Sequence, residues 1–221
     1  MLEGSAEPSA EDLKPLLRGV LHQCAFFLSL VVGAVLVITA STALARWSGL
    51  VFAASVTAMF GASALYHRGS WTPRKRQWLR RLDHAMIFLL IAGTYTPVGL
   101  HILSGPWQVI VLTVVWIGAA LAIGIRLLWT DGPRWIAVAI AVALGWVAVL
   151  VLPQLMRGIA PAGVALLLTG GLLYTLGSVV YARKWPNPHP TVYGFHEVFH
   201  TLVIAAAACQ YVAIAFFVLT E

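Results

Sequence analysis

Long apolar runs broken by short polar clusters organise this chain. A helix that crosses a bilayer needs about 20 mostly apolar residues. Runs of that kind occupy 20–44, 48–67, 83–103, 107–129, 134–153, 160–182 and 195–219. Between them lie Arg46-Trp47-Ser48-Gly49, the basic stretch Arg68 to Arg81, Ser104-Gly105-Pro106, Asp131-Gly132-Pro133, Arg157-Gly158, and Arg183 to Tyr193 with three prolines. Gly, Pro and charge clustered in this way end helices and make turns. In lipid, a spanning segment must bond its own backbone, which a helix does. The pattern therefore predicts an all-α fold, a bundle of seven transmembrane helices formed by residues 20–221 behind an N-terminal segment, 1–19. Thr72 followed by Pro73 reads as an N-cap and first helical residue, predicting a short interfacial helix in the basic loop.

Composition agrees. Of the 221 residues 60% are hydrophobic and only 10% charged, and the mean hydropathy is +0.88. A soluble domain of this length needs roughly a quarter of its residues charged. Cys24 and Cys209 lie in apolar runs without ligand spacing and read as small core residues, with no disulfide framework. The first 19 residues are polar and mixed in charge, so the first apolar run is expected to stay as an anchor instead of serving as a cleavable leader. The net charge of +6 invites a nucleic-acid reading, but nothing accompanying it would read a base. Basic loops that fix topology and touch anionic lipid headgroups explain it better.

Orientation follows from the same residues. With seven spans, Lys14, Arg18, Arg68, Arg74, Lys75, Arg76, Arg80, Arg81, Arg126, Arg134, Arg183 and Lys184 share one side, 12 of the 14 Lys and Arg; Arg46 and Arg157 take the other. The positive-inside rule places the N-terminus in the cytoplasm and the C-terminus outside, in a cell inner (plasma) membrane.

That orientation sorts the histidines by depth. Span two ends inside at His67, span three begins inside at Asp83-His84, and span seven begins inside with His196 and His200. Ionisable groups in spans are costly unless they pair, coordinate or line a wet cavity. His196 and His200 are four apart and lie on one helix face. With a third imidazole from a neighbouring helix, His67, they make the three-ligand set of a catalytic zinc. Ser63 lies one turn deeper than His67. Asp83 enters at the matching depth, either as a further ligand or as a general base holding a water. His196-Glu197-Val198-Phe199-His200 also fits the H-E-x-x-H pattern of zinc metalloproteases, although Glu197 points about 100° away from His196 around the helix.

Blander readings stand beside these. The three histidines could be interfacial packing residues, Asp83 a partner for Arg80 at a helix start, and Ser63 a helix-packing hydroxyl. His84 reads as structural and His22 as a cap on the inner end of a cavity. His101 is at the wrong face, and His189 lies in a loop. Pro97 is expected to kink span three. Trp47, Trp71, Trp107, Trp129, Trp135 and Trp185 read as an interfacial belt.

Three ordered motifs, Ser63-Ala-Leu-Tyr-His67, then Arg81-Leu-Asp83-His84 leading into Ala92-Gly-Thr-Tyr-Thr-Pro97, then Gly194-Phe-His196-Glu-Val-Phe-His200, resemble the hemolysin III branch of the progestin and adipoQ receptor family. The resemblance covers essentially the whole chain. It implies seven helices with a cytoplasmic N-terminus, a zinc ion held by His67, His196 and His200, and Ser63 and Asp83 beside it. It also implies kinship with alkaline ceramidases. The expected function is that of a zinc-dependent hydrolase of a membrane-lipid amide or ester bond. Asp83 would serve as base, and Ser63 would meet the developing oxyanion. The alternatives are a non-enzymatic sensor or fluidity regulator with structural zinc, and a pore-forming cytolysin.

Overall fold

The computed structural model describes residues 14–129 and 134–220. The expected break at Asp131-Gly132-Pro133 and the first thirteen residues of the N-terminal segment lie outside these. The described residues build seven helical rods and no β-strand. They are α1 (Val20–Thr39), α2 (Ala43–Arg68), α3 (Pro73–His101), α4 (Pro106–Leu128), a composite fifth rod, α7 (Pro161–Arg183) and α8 (Phe195–Ala213). The fifth rod joins α5 (Arg134–Gly145), a 3-10 stretch (Trp146–Val151) and α6 (Leu152–Gly158); α8 continues as a π-helical turn over Ile214–Val218. Rods adjacent in sequence pack side by side from α1 to α4, and α7 packs along α8. Proline opens α3, α4, α6 and α7, where its missing N–H and fixed φ suit a first turn.

Among the described residues six helices are long and apolar enough to cross a membrane: Val20–Thr39, Ala43–Arg68, Pro106–Leu128, Trp135–Gly158, Pro161–Arg183 and Phe195–Val218. Their outward faces carry large exposed apolar side chains, among them Phe27, Leu28, Val31, Ile38, Leu121, Leu172 and Phe216. Water does not tolerate so continuous an apolar exterior, and lipid does. The chain is a multi-pass, all-α membrane protein.

The expected third span is not one of the six, and the reason lies in its surroundings. α3 is a single 29-residue helix. It starts beside the end of α4, where Arg81 Nη1 donates to Leu127 O at 3.0 Å. It ends beside the start of α2, where Ser48 Oγ and His101 Nε2 lie 3.1 Å apart. It thus runs the full length of its neighbours. Its apolar stretch is diluted by Thr94, Tyr95, Thr96 and Pro97, of which the last three are buried. Thr96 Oγ1 donates to Ala92 O (2.9 Å), and Tyr95 Oη donates to Gly145 O (2.7 Å). A helix sheathed by protein need not be as apolar as one bathed in lipid. Gly93 marks the closest approach, since a methyl there would collide with Ser55.

Three expectations need correcting. The α1–α2 break falls at residues 40–42, earlier than Arg46-Trp47-Ser48-Gly49. Thr42 Oγ1 caps α2 by accepting from Ala45 N at 3.1 Å, and Arg46 Nε reaches back to Ala40 O at 3.1 Å. A first-turn threonine and a snorkelling arginine thus close the turn more tightly than glycine and charge suggested. The basic stretch forms no separate interfacial helix. From Pro73 it is continuous with α3, and Thr72, although at the N-cap, makes no side-chain cap bond. Cys24 is exposed and is not a core residue: apolar surroundings in sequence do not separate the lipid face from the interior. Of the six belt tryptophans, Trp47, Trp107, Trp129, Trp135 and Trp185 are exposed.

Candidate metal centre

Three helices deliver the polar groups to one end of the bundle. His67 lies in the last turn of α2, Asp83 in the third turn of α3, and His196 and His200 in the first two turns of α8. The start of α8 is fixed by its own sequence: Gly194 N donates to Glu197 Oε2 at 2.9 Å, and Phe195 N to Asn187 Oδ1 at 3.0 Å. These bonds satisfy orphan first-turn donors and set the angle at which His196 and His200 leave the helix.

His67, His196 and His200 each turn a ring nitrogen toward the others, all within 4.8 Å of one another. His67 Nε2 and His196 Nε2 are 3.1 Å apart. Ligand nitrogens on a tetrahedral zinc with bonds of roughly 2.0–2.1 Å stand roughly 3.3 Å apart, so this donor set fits the ion with small side-chain shifts. Three imidazoles with no thiolate among them also suit zinc chemistry. Asp83 Oδ2 lies 3.9 Å from His67 Nε2, and Ser63 lines the same cavity as Asp83. Ser63, His67 and His200 are buried, while Asp83 and His196 are half-buried.

The second layer contains residues the sequence reading missed or weighed lightly. His22 of α1 is buried and stacks on His200, centroids 3.7 Å apart and planes 6° from parallel. Neither of its ring nitrogens has a hydrogen-bond partner among the described residues, nor has His200 Nδ1. Gly19, φ 81°, packs against the site, where a methyl would stand 2.5 Å from His67 Cβ. Only glycine meets both demands at that position. Sequence alone gives no sign of this, because a glycine before a helix looks like an ordinary terminus.

Glu197, the glutamate of the H-E-x-x-H pattern, does not face the histidines. It is fully buried, and besides capping Gly194 it forms an ion pair with Arg18 Nε. The N-terminal segment is tied down beside it, Leu16 N to Thr191 O (3.0 Å) and Leu17 N to Val192 O (3.1 Å). Lys14 lies near Arg18, Arg68 and Arg76; burial first and then those charges push its ammonium below the usual lysine range. His84 Nδ1 is 2.6 Å from Arg80 O and its Nε2 3.2 Å from Tyr181 Oη, a structural placement. His101 is at the opposite end with Ser48, and His189 pairs with Tyr193 in the α7–α8 loop.

A cavity of about 200 Å³ runs from this centre into the bundle. His22, Ser63, Asp83, His196 and His200 line its polar end; Ile87, Ile91, Val142, Leu167 and Val203 line its apolar length. A long apolar chain lying in it would bring its polar end to the histidines.

A family model described as "Haemolysin-III related" matches residues 11–211. The chain is 28% identical over 204 residues to a hemolysin-3 homolog of Bacillus subtilis (strain 168), covering 90% of this chain and 92% of that protein. It is likewise 28% identical over 206 residues to hemolysin-3 of Bacillus cereus, covering 91% of this chain and 90% of that one.

Proposed function

This chain belongs to the haemolysin-III related family, and from that premise we propose that it is a zinc-dependent hydrolase of an amide or ester bond in a membrane lipid. The observation that carries the reading is the apolar cavity that ends on three mutually facing histidines with a carboxylate beside them. His67, His196 and His200 would hold the ion. When bound, zinc supplies Lewis acidity that polarises a carbonyl and acidifies water. The Asp83 carboxylate orients the attacking water, accepts its proton, and returns that proton to the departing amine or alkoxide as the C–N or C–O bond breaks. Ser63, which lines the cavity with Asp83, has a hydroxyl that can aim that carboxylate or meet the developing oxyanion. The cavity walls exclude bulk water and hold the acyl chain in register.

The test begins with metal content, by mass spectrometry on chelator-free, detergent-purified protein. About one zinc per chain is expected, followed by fatty-acid release from ceramide or glycerolipid that disappears in Asp83→Ala. Metal-free wild type, or a zinc-loaded protein inert on every lipid class, would sink the reading. A second reading, structural zinc tying α2 to α8, draws on His22: its ring lies against His200 with unpartnered nitrogens. A fourth protein ligand found by X-ray absorption would favour that reading, since it leaves no open position for water.

A further inference from the structure

One cation in the wall of the cavity has no counter-charge among the described residues. Arg126, in the last turn of α4, is 8% exposed. It lines the cavity that reaches the histidines and also a small crevice toward Ile136 and Ile140. Among the described residues its Nε has no hydrogen-bond partner and the side chain makes no ion pair. Among the described residues the only carboxylate lining the cavity is Asp83, 3.9 Å from His67 Nε2. The charged or titratable groups acting on Arg126 are Tyr181 and Arg80, and neither supplies an anion at neutral pH.

A guanidinium cannot shed its charge by deprotonating. Burying it without a partner is costly, and removing one half of a buried pair is more costly than losing a surface one. Its planar fork matches the two oxygens of a carboxylate or phosphate. The counter-charge is therefore to be sought in what fills the cavity.

We propose that Arg126 recognises the oxyanion of an acidic lipid, a carboxylate or a phosphate, whose hydrocarbon chain occupies the apolar part of the cavity. This deepens the lipid reading of the cavity and rests on it, but it does not require zinc. The recognition group stands on α4 and the histidines on α2 and α8, so a ligand held by both is bound at two points near its polar end. An acidic headgroup is selected over a neutral one of the same chain length.

The test uses purified full-length protein, chelator-treated, in nanodiscs of zwitterionic lipid. Thermal shifts are measured with oleate, oleyl phosphate and oleyl alcohol, and with inorganic phosphate alone. In wild type either acid should bind roughly ten- to a hundred-fold more tightly than the alcohol, the range for a charge-assisted bond. The stronger of the two identifies the headgroup. In Arg126→Gln the preference should vanish, while alcohol binding and zinc content on reloading stay unchanged. Should that variant fail to melt cooperatively, Arg126→Lys takes its place: a point charge without the fork should weaken the preference.

Equal binding of acid and alcohol to wild type overturns the proposal, as does an undiminished preference in the Arg126 variant. Inorganic phosphate binding as tightly as oleyl phosphate also overturns it, because the chain would then contribute nothing. Because metal is stripped throughout, failure of the zinc chemistry leaves these outcomes readable. A preference that appears only on reloading with zinc, and survives in the variant, places the anion on the metal and counts against Arg126.

Discussion

At the scale of single residues, the four groups nearest the proposed chemistry separate by what each substitution should remove. His200→Ala and His67→Ala each delete one of three donors, so zinc content should fall from about one per chain to near background, read by mass spectrometry. Asp83→Asn keeps the shape but not the proton acceptor. It should retain zinc, and lipid hydrolysis should drop by roughly 10²–10⁴-fold, the usual contribution of a general base. Glu197 separates motif from mechanism. Its carboxylate is spent on Arg18 and the Gly194 N–H, so Glu197→Gln should cost about 3 kcal/mol of stability, the scale of a broken buried pair, seen as a lower melting temperature. Zinc stoichiometry at saturating metal should survive. A Glu197→Gln protein that melts normally but has lost all hydrolysis would restore the metalloprotease-like role. His67, His196, His200 and Asp83 are legible in the sequence through depth and four-residue spacing, both properties of a single helix. It could not show Arg18 or Arg126 at the site, because each arrives from a segment whose partner is far away in the chain.

At the scale of elements, the site depends on how closely rods approach. Gly19 lets the turn before α1 lie against His67, and Gly93 lets α3 lie against α2 at Ser55. Gly19→Ala adds both a forbidden φ and a clash. It should weaken zinc affinity by displacing His67, with the helical content seen by circular dichroism unchanged. Gly93→Val should destabilise by about 1–3 kcal/mol, the cost of overpacking a filled interface, read as a lower melting temperature in detergent. Element boundaries were readable where proline opens a helix, as at Pro73, Pro106 and Pro161. They were misread at the α1–α2 turn, where the closing contacts are a threonine cap and a side chain folding back on a carbonyl.

At the scale of the whole molecule, the basic residues and α3 together make a topological prediction. Six helices pass as membrane-crossing by length and composition, and an even number of crossings would put both termini on one side. α3 runs the full length between α2 and α4, and its crossing would make seven. Fusions should therefore report the N-terminus in the cytoplasm and the C-terminus outside, with a C-terminal periplasmic reporter active and the same reporter at the N-terminus silent. Both termini on one face would mean that α3 does not cross and that the charge asymmetry misleads.

The sequence by itself determined that the chain lives in a membrane as an all-helical bundle, because runs of about 20 apolar residues admit no other solvent. It also determined that His67, Asp83, His196 and His200 fall at one depth, since helical rise converts position in a span into height. Rotation about each helix axis was left to the tertiary structure. An apolar run faces lipid and core with similar side chains, so Cys24 could turn outward. Glu197 could turn from its neighbouring histidines toward Arg18, and His22 could stack on His200. Which groups meet at the end of the cavity is set by packing between helices, a relation between distant segments that no single stretch of sequence contains.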